Sequence, residues 1–180
     1  MGNATRFDTD VDKCFIKSGN LPRGTHMYKK AIVDALCAVF EEKVKSLRTS
    51  LESTREGARD APGSNVSHSD TSKFQLSNVV LGLDGLIQEL NQTIVVLRHM
   101  NVVHLDKVCV GALVTLRETT NGNTRIYFFV AHGGGEKVIC DGEEISSIAM
   151  AAPLARACLN KKEGDEVVFN GKTYEVQSLQ

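Results

Sequence analysis

What this chain of 180 residues lacks narrows it first. It has no surplus of either charge: 21 basic against 22 acidic side chains leave a formal net charge of -1. The balance also holds locally, with nine basic and nine acidic residues in 27–100 and eight and ten in 101–180. No global field draws in a polyanion, so DNA or RNA binding driven by overall charge is disfavoured. No run reaches 18 apolar residues, so no membrane span is expected. The opening MGNATRFDTDVDK lacks the apolar core of a signal peptide, and Arg6 stands where a myristoylation pattern needs Ser or Thr. The expected location is the cytoplasm. The five cysteines, Cys14, Cys37, Cys109, Cys140 and Cys158, form no CxxC pair and no zinc-ribbon spacing, and read as reduced thiols. In that setting the N-x-S/T triplets at Asn3, Asn65 and Asn91 are chance matches.

Catalytic signatures are missing too. There is no phosphate-cradling G-x-x-x-x-G-K-[ST]. The run His132-Gly133-Gly134-Gly135 resembles an esterase oxyanion loop, but the G-x-S-x-G elbow that such a site needs is absent, so it reads as a glycine loop after a strand. His104 with Cys109, and His132 with Cys140, read as ordinary side chains and not as zinc ligands. His68 reads as a solvated loop residue.

Three segments are present. Residues 1–26 are polar, with Gly19, Pro22 and Gly24 near their end, and read as a flexible leader. The run from Leu21 to Met27 fits either a protease scar or native sequence ahead of a start at Met27, and both readings stay open. From Met27 to about Arg59, Val33, Cys37, Phe40, Val44, Leu47 and Leu51 recur at spacings of 4, 3, 4, 3 and 4, the seam of a coiled coil. A breaker cluster follows over about 57–72, around Pro62-Gly63. A second seam then runs through Leu76, Val80, Leu83, Ile87, Leu90, Ile94 and Leu97, with Asp70 or Ser72 as its expected cap. Two such helices joined by a short polar loop fold back on each other, so 27–100 is expected to be an antiparallel hairpin. Gly82 and Gly85 weaken the second helix, and are expected to serve a close contact with the first or a bend.

Residues 101–180 change texture. Strands are expected over 108–116, 124–131 and 137–140, then one or two helical turns from Pro153, then a hairpin through Asn170-Gly171. The expected fold class is α+β: a helical hairpin followed by a small antiparallel sheet domain with a short helix.

Within that second part, Phe128-Phe129-Val130-Ala131-His132-Gly133-Gly134-Gly135, then Ala152-Pro153-Leu154-Ala155-Arg156-Ala157-Cys158-Leu159-Asn160-Lys161, then Glu163-Gly164-Asp165-Glu166-Val167, resembles the C-terminal domain of the Gre-type bacterial transcription elongation factors. Ala152 stands for that family's Ser and Asn160 for its Gly. The order of the two parts matches as well, over about residues 27–180. The resemblance implies an FKBP-like second domain and RNA polymerase as the partner. It implies docking at the rim of the secondary channel, with Pro153, Leu154, Arg156 and Lys161 as docking candidates. It also implies a hairpin that enters the channel, where tip carboxylates share a Mg²⁺ with the polymerase and promote transcript cleavage, giving indirect contact with transcript RNA. Two-metal chemistry of this kind stabilises attacking and leaving oxygens, and Mg²⁺ prefers carboxylate oxygen.

The tip departs from the family. Residues 56–70 offer Asp60 and Asp70 but no D-x-x-E-N unit, and Arg55 and Arg59 lie close in sequence. Ala151 stands where some members carry an Asp. On this reading the chain is either a cleavage factor or a channel-occupying regulator without cleavage; it is not itself an enzyme, binds no stable metal or other cofactor, and is a monomer. Two other readings stay open. One is a prolyl isomerase with Tyr127, Phe128, Phe129 and Tyr174 lining a pocket; the other is a coiled-coil adaptor unrelated to transcription.

Overall fold

A computed structural model describes residues 23–60, 69–101 and 104–180. Two long helices come first: α1 over Arg23–Asp60 and α2 over Ser69–His99. Six strands and one short helix follow: β1 Leu113–Glu118, β2 Thr124–Val130, β3 Lys137–Cys140, β4 Glu143–Ala149, α3 Pro153–Cys158, β5 Glu166–Phe169 and β6 Lys172–Leu179.

The helical periods translate into packing. Val33, Cys37, Phe40, Val44 and Leu51 of α1 are buried against Ile87, Leu90, Ile94 and Leu97 of α2. The boundaries differ from expectation at three points. The helix α1 begins at Arg23, so residues 23–26 belong to it and not to a leader, whose remainder lies outside the described residues. It also runs past Gly57 to Asp60, because one glycine costs a helix only about 1 kcal/mol. Finally, α2 starts at Ser69, which puts Asp70 and Ser72 inside its first turns instead of at its cap. The expected tip loop is thereby shortened, and its residues 61–68 lie outside the described part. Nothing lies within 4 Å of a Cβ built at Gly82 or Gly85, so neither glycine serves a close contact with α1. By length and composition Phe74–His99 is apolar enough to cross a membrane, although no run of 18 apolar residues exists, because neutral Asn, Gln and Gly separate its apolar positions.

The sheet has the order β3-β4-β2-β1-β6-β5. It is mixed, not purely antiparallel: β2 pairs with β4 in parallel, with Ile126 opposite Ile145 and Val130 opposite Ala149. The strand β4 was not anticipated, and it arrives through a two-residue hairpin turn at Asp141-Gly142, both at positive φ. The first strand starts later than expected. Residues 109–112 form a turn closed by the Ala112 N–H on the Cys109 carbonyl, 3.1 Å.

The inner strands are covered on both faces. Leu113, Phe128, Val130, Val138 and Ile145 pack on the base of the helical hairpin. Val114, Leu116, Phe129, Val167, Val176 and Leu179 pack on α3 and on Leu105 and Val108 of the incoming chain. The contact with the hairpin is close. A Cβ at Gly133 would lie 2.3 Å from Leu90 Cδ2 and 3.7 Å from Phe40 Cε1; one at Gly134 would instead strike β4, 2.3 Å from the Ala149 backbone nitrogen. Polar groups ring this seat. The Thr93 hydroxyl donates to the His132 carbonyl at 3.1 Å and accepts from the His132 N–H at 3.2 Å. Lys43 pairs with Glu136, and the Tyr28 hydroxyl donates to Glu143 at 2.7 Å.

Lys29 lies in the first turns of α1 with 3% of its surface exposed. Burial pushes its ammonium down to about 8, with the nearby Cys109 side chain acting in the other direction. A lysine whose folded pKa is depressed destabilises the fold below that pKa. Between about 8 and its ordinary value the unfolded chain still holds the proton while the native state sheds it, so stability rises with pH.

Two predictions follow from this packing. Gly134→Ala loses about 2 kcal/mol or more, because backbone cannot move aside, whereas Gly82→Ala gains up to about 1 kcal/mol; urea titrations of both variants check the pair. Against Lys29→Met, wild type gains about 2 kcal/mol of unfolding free energy from about pH 7 to about pH 9.5, read from denaturation curves of both proteins at each pH.

Candidate functional site

Two regions carry the residues singled out by sequence. At the hairpin apex, the backbone places Asp60 at the last position of α1 and Asp70 in the first turn of α2. Antiparallel helices therefore bring both positions to the same end. That end is remote from the sheet: Asp60 lies about 25 Å along the helix axis beyond Lys43, which bridges to Glu136. The helix macrodipole favours a carboxylate at the start of α2 and a cation at the end of α1, where Arg59 sits in the last turn. Arg55 is committed elsewhere. Its guanidinium donates to Asp84 of α2 at 2.9 Å, tying the two helices together below the apex. Among the described residues no group of three or more His, Cys, Asp or Glu comes together. A pair of apex carboxylates supplies hard oxygen ligands to a Mg²⁺ only if another molecule supplies the rest.

The second region is α3 and the turn after it. Ala155 and Cys158 anchor α3 in the core, each with no exposed surface. Burial pushes the Cys158 thiol up to about 11, which makes it inert. The opposite side of α3 is free: Pro153 at its N-terminus and Arg156 are exposed, Leu154 and Lys161 are half-buried. Leu159, at the C-terminal end, is 43% exposed and adds an apolar contact point to this face. It was missed as a docking candidate, although its place next to Cys158 in the run Ala155-Arg156-Ala157-Cys158-Leu159 puts it beyond the buried stripe. Ala151 is also exposed there.

The residues around these side chains build the turn. Asn160 sits at φ 63, in the left-handed region that ends a helix. A glycine is the ordinary choice at such a position, and asparagine is the next best tolerated. The Asn160 N–H donates to the Val108 carbonyl at 3.0 Å and the Val108 N–H to the Lys161 carbonyl at 2.8 Å, which stitches the turn to the incoming chain. The Asp165 carboxylate accepts the Lys162 N–H at 2.7 Å, and the Val176 N–H donates to the Asp165 carbonyl at 2.9 Å, which launches β5 beside β6. Much of the Pro153-to-Val167 run is thus fold-building, while Pro153, Arg156 and Leu159 are exposed and Leu154 and Lys161 half-buried on α3 and the turn after it.

The structure does not bring the four aromatic residues of the isomerase reading into one pocket. Phe128 is fully buried in the cluster facing the hairpin, while Phe129 is fully buried in the opposite cluster with Tyr127 and Tyr174 beside it. Alternation along β2 sends neighbours to opposite faces. A groove of about 520 Å³ lies over the starts of β2 and β4, lined by Arg125 and Lys137 against Glu143 and Glu144. With its charges balanced, it selects no charged ligand.

Residues 103–179 match the family model described as transcription elongation factor, GreA/GreB, C-term. The chain is also similar to the crystal structure of GreA factor homolog 1 of Thermus thermophilus, at 14% identity over 80% of this chain and 94% of that one, with a TM-score of 0.34. A structure of Thermus aquaticus Gfh1 is similar at 15% identity over 79% and 92% of the two chains, with a TM-score of 0.32. No curated protein matches.

The left-handed turn yields a test. Asn160→Gly leaves stability within about 0.5 kcal/mol of wild type, and Asn160→Ala costs about 1 kcal/mol or slightly more, both read from thermal melts.

Proposed function

We propose, from the premise that residues 103–179 are a GreA/GreB-type C-terminal domain, that this chain is a divergent Gre-type transcription elongation factor of the cytoplasm that binds RNA polymerase and inserts its helical hairpin into the secondary channel. The observation that carries this reading is the family match on a domain to whose sheet the base of a long hairpin is fixed. Docking uses the free side of α3: Pro153, Leu154 and Leu159 as apolar contacts, Arg156 and Lys161 as cations. Seating of the hairpin on the sheet fixes the direction in which the apex points once that face is docked.

At the apex Asp60 and Asp70 supply oxygen ligands to a Mg²⁺ whose remaining ligands belong to the polymerase. The chain contributes charge and position, and the polymerase contributes the reaction. Two carboxylates outside any D-x-x-E-N unit make this assistance weak, so occupancy of the channel is the larger part of the effect. The aromatic side chains of β2 and β6 fill core instead of a shared pocket, and nothing in the geometry favours the isomerase reading.

Purified polymerase in a pull-down is retained by wild type, and retention drops roughly tenfold in Arg156→Glu, since a docking cation becomes a repelling anion. Stalled elongation complexes then separate the two parts of the proposal. Wild type shortens the transcript, and Asp60→Ala and Asp70→Ala each lose that shortening while keeping retention. Retention with no shortening by wild type removes the Mg²⁺ step and leaves a channel-occupying regulator. Failure of wild type to retain polymerase removes the whole reading.

A further inference from the structure

The face of the sheet that meets the hairpin is apolar under the helices and turns polar at one corner. Strand pairing sets which side chains share that corner. Leu113 packs toward the hairpin, and Thr115 follows it two residues on, on the same face. Ser178 is paired with Thr115, and Gln180 exchanges both backbone hydrogen bonds with Leu113 at 2.9 Å, so both lie on that face. On the other side of β1, Ile126 is paired with Thr115 and with Ile145 of β4. Thr124 and Glu143, each two residues earlier, therefore join them. Tyr28 of α1 reaches across from the hairpin to Glu143. These side chains line one pocket of about 390 Å³, a volume in the range of small-molecule sites.

The pocket is rich in acceptors and poor in donors. Glu143 is the one charged side chain of its lining, and among the described residues no lysine or arginine pairs with it. The cations of the adjoining groove are turned away: Lys137 pairs with Glu144 at 2.7 Å, and alternation sends Arg125 to the opposite face of β2. The Gln180 side-chain oxygen is the one buried side-chain nitrogen or oxygen without a hydrogen-bond partner among the described residues. Such a group is uncommon in a folded chain, and an outside donor accounts for it. The terminal torsion of a glutamine is broad, so a small turn of the amide presents that oxygen to the pocket. The Ser178 hydroxyl spends its proton on Thr115 Oγ1 at 2.9 Å and keeps its lone pairs. Burial, and then the hydrogen bond to Glu143, push the Tyr28 phenol up, so it stays protonated with its proton on the carboxylate. One carboxylate, with neither His nor Cys in the lining, is too few ligands for a bare divalent ion.

We propose that this corner binds a small organic monocation with several N–H donors, an alkylguanidinium or alkylammonium group, whose charge lies against Glu143 and whose further N–H meets Gln180. The same group is carried by a free small molecule or by an arginine or lysine side chain of another protein, and the pocket reads the group. Glu143 is exposed, so solvent screens the attraction and the dissociation constant is on the order of 1 mM. The site is independent of polymerase binding.

Titration of the isotopically labelled full chain, followed by two-dimensional amide NMR, tests this. Butylguanidinium shifts amides of residues 113–115, 124–126, 143–145 and 178–180 in a saturable way. Tetramethylammonium has the charge without N–H donors, and butyrate has the opposite charge; neither produces these shifts. Glu143→Gln, at an exposed site, keeps the wild-type melting temperature and weakens binding roughly fivefold or more, and Gln180→Leu weakens it roughly threefold. Capped Gly-Arg-Gly peptide separates the sources: tighter binding than butylguanidinium assigns the cation to a protein side chain, and equal or weaker binding assigns it to a free small molecule. No saturable shift up to about 50 mM butylguanidinium overturns the proposal, being far above the expected constant. Equal shifts with tetramethylammonium, binding of butyrate, or indifference to either variant overturn it as well.

Discussion

The seat of Phe40 and Leu90 against Gly133 is the contact on which the rest of the arrangement depends. Two helices zipped by one seam are a rod with no preferred direction. Here the rod is held at its base by a loop whose Gly133, at φ 75, lies against Leu90 and Phe40, while Gly134 lies against the backbone of β4. The Thr93 hydroxyl bridges both backbone groups of His132 on the same loop, satisfying a donor and an acceptor that the close approach would otherwise strip of water. The glycine run thus has a mechanical purpose that a search for catalytic motifs does not reveal: it lets a sheet approach a helix pair to contact distance and fixes the angle between them.

The burial pattern along the hairpin follows from that seat. Ile32, Leu36, Phe40 and Leu90 have no exposed surface, lying in the cluster that the hairpin shares with the sheet. Leu76, Val80 and Leu83, further toward the apex, remain half-exposed, because a two-helix rod offers only one neighbour. Stability is therefore graded from base to apex. What compensates at intermediate height is electrostatic, with Arg55 paired to Asp84 across the seam and Arg98 to Glu41 nearer the base. Exposed pairs of this kind contribute little each, so the apical third is the part of the rod most easily opened.

The seams were legible because a 4, 3 spacing survives any change of neighbours; Val33 through Leu51 and Leu76 through Leu97 read the same in isolation as in the structure. The second stripe of α1, Ile32 and Leu36, was not singled out, since nothing in the helix itself says that a sheet will cover it. The strand β4 escaped for a similar reason. In Glu143-Glu144-Ile145-Ser146-Ser147-Ile148-Ala149 the polar residues outnumber the apolar ones, and Ile145 and Ile148 are out of step with an alternating pattern. It is an inner strand only because β3 and β2 flank it, and its parallel pairing depends on the path of the glycine loop. For the candidate docking face, the run from Pro153 to Lys161 was visible as a motif, but which of its residues look outward depended on Ala155 and Cys158 being core. The apex was legible only as composition.

The two outer helix faces give the hairpin a sidedness that its seam alone does not. Charged α1 and neutral α2 present different surfaces to anything that surrounds the rod, while the seat at Gly133 prevents the rod from turning about its own axis relative to α3. A partner that grips the free side of α3 therefore also meets a defined helix face further along. A partner that encloses the rod meets the charged positions of α1 on one side and the uncharged positions Phe74, Leu81, Gln88 and Val95 of α2 on the other, so the rod has a preferred rotational setting only if the walls around it are equally unlike.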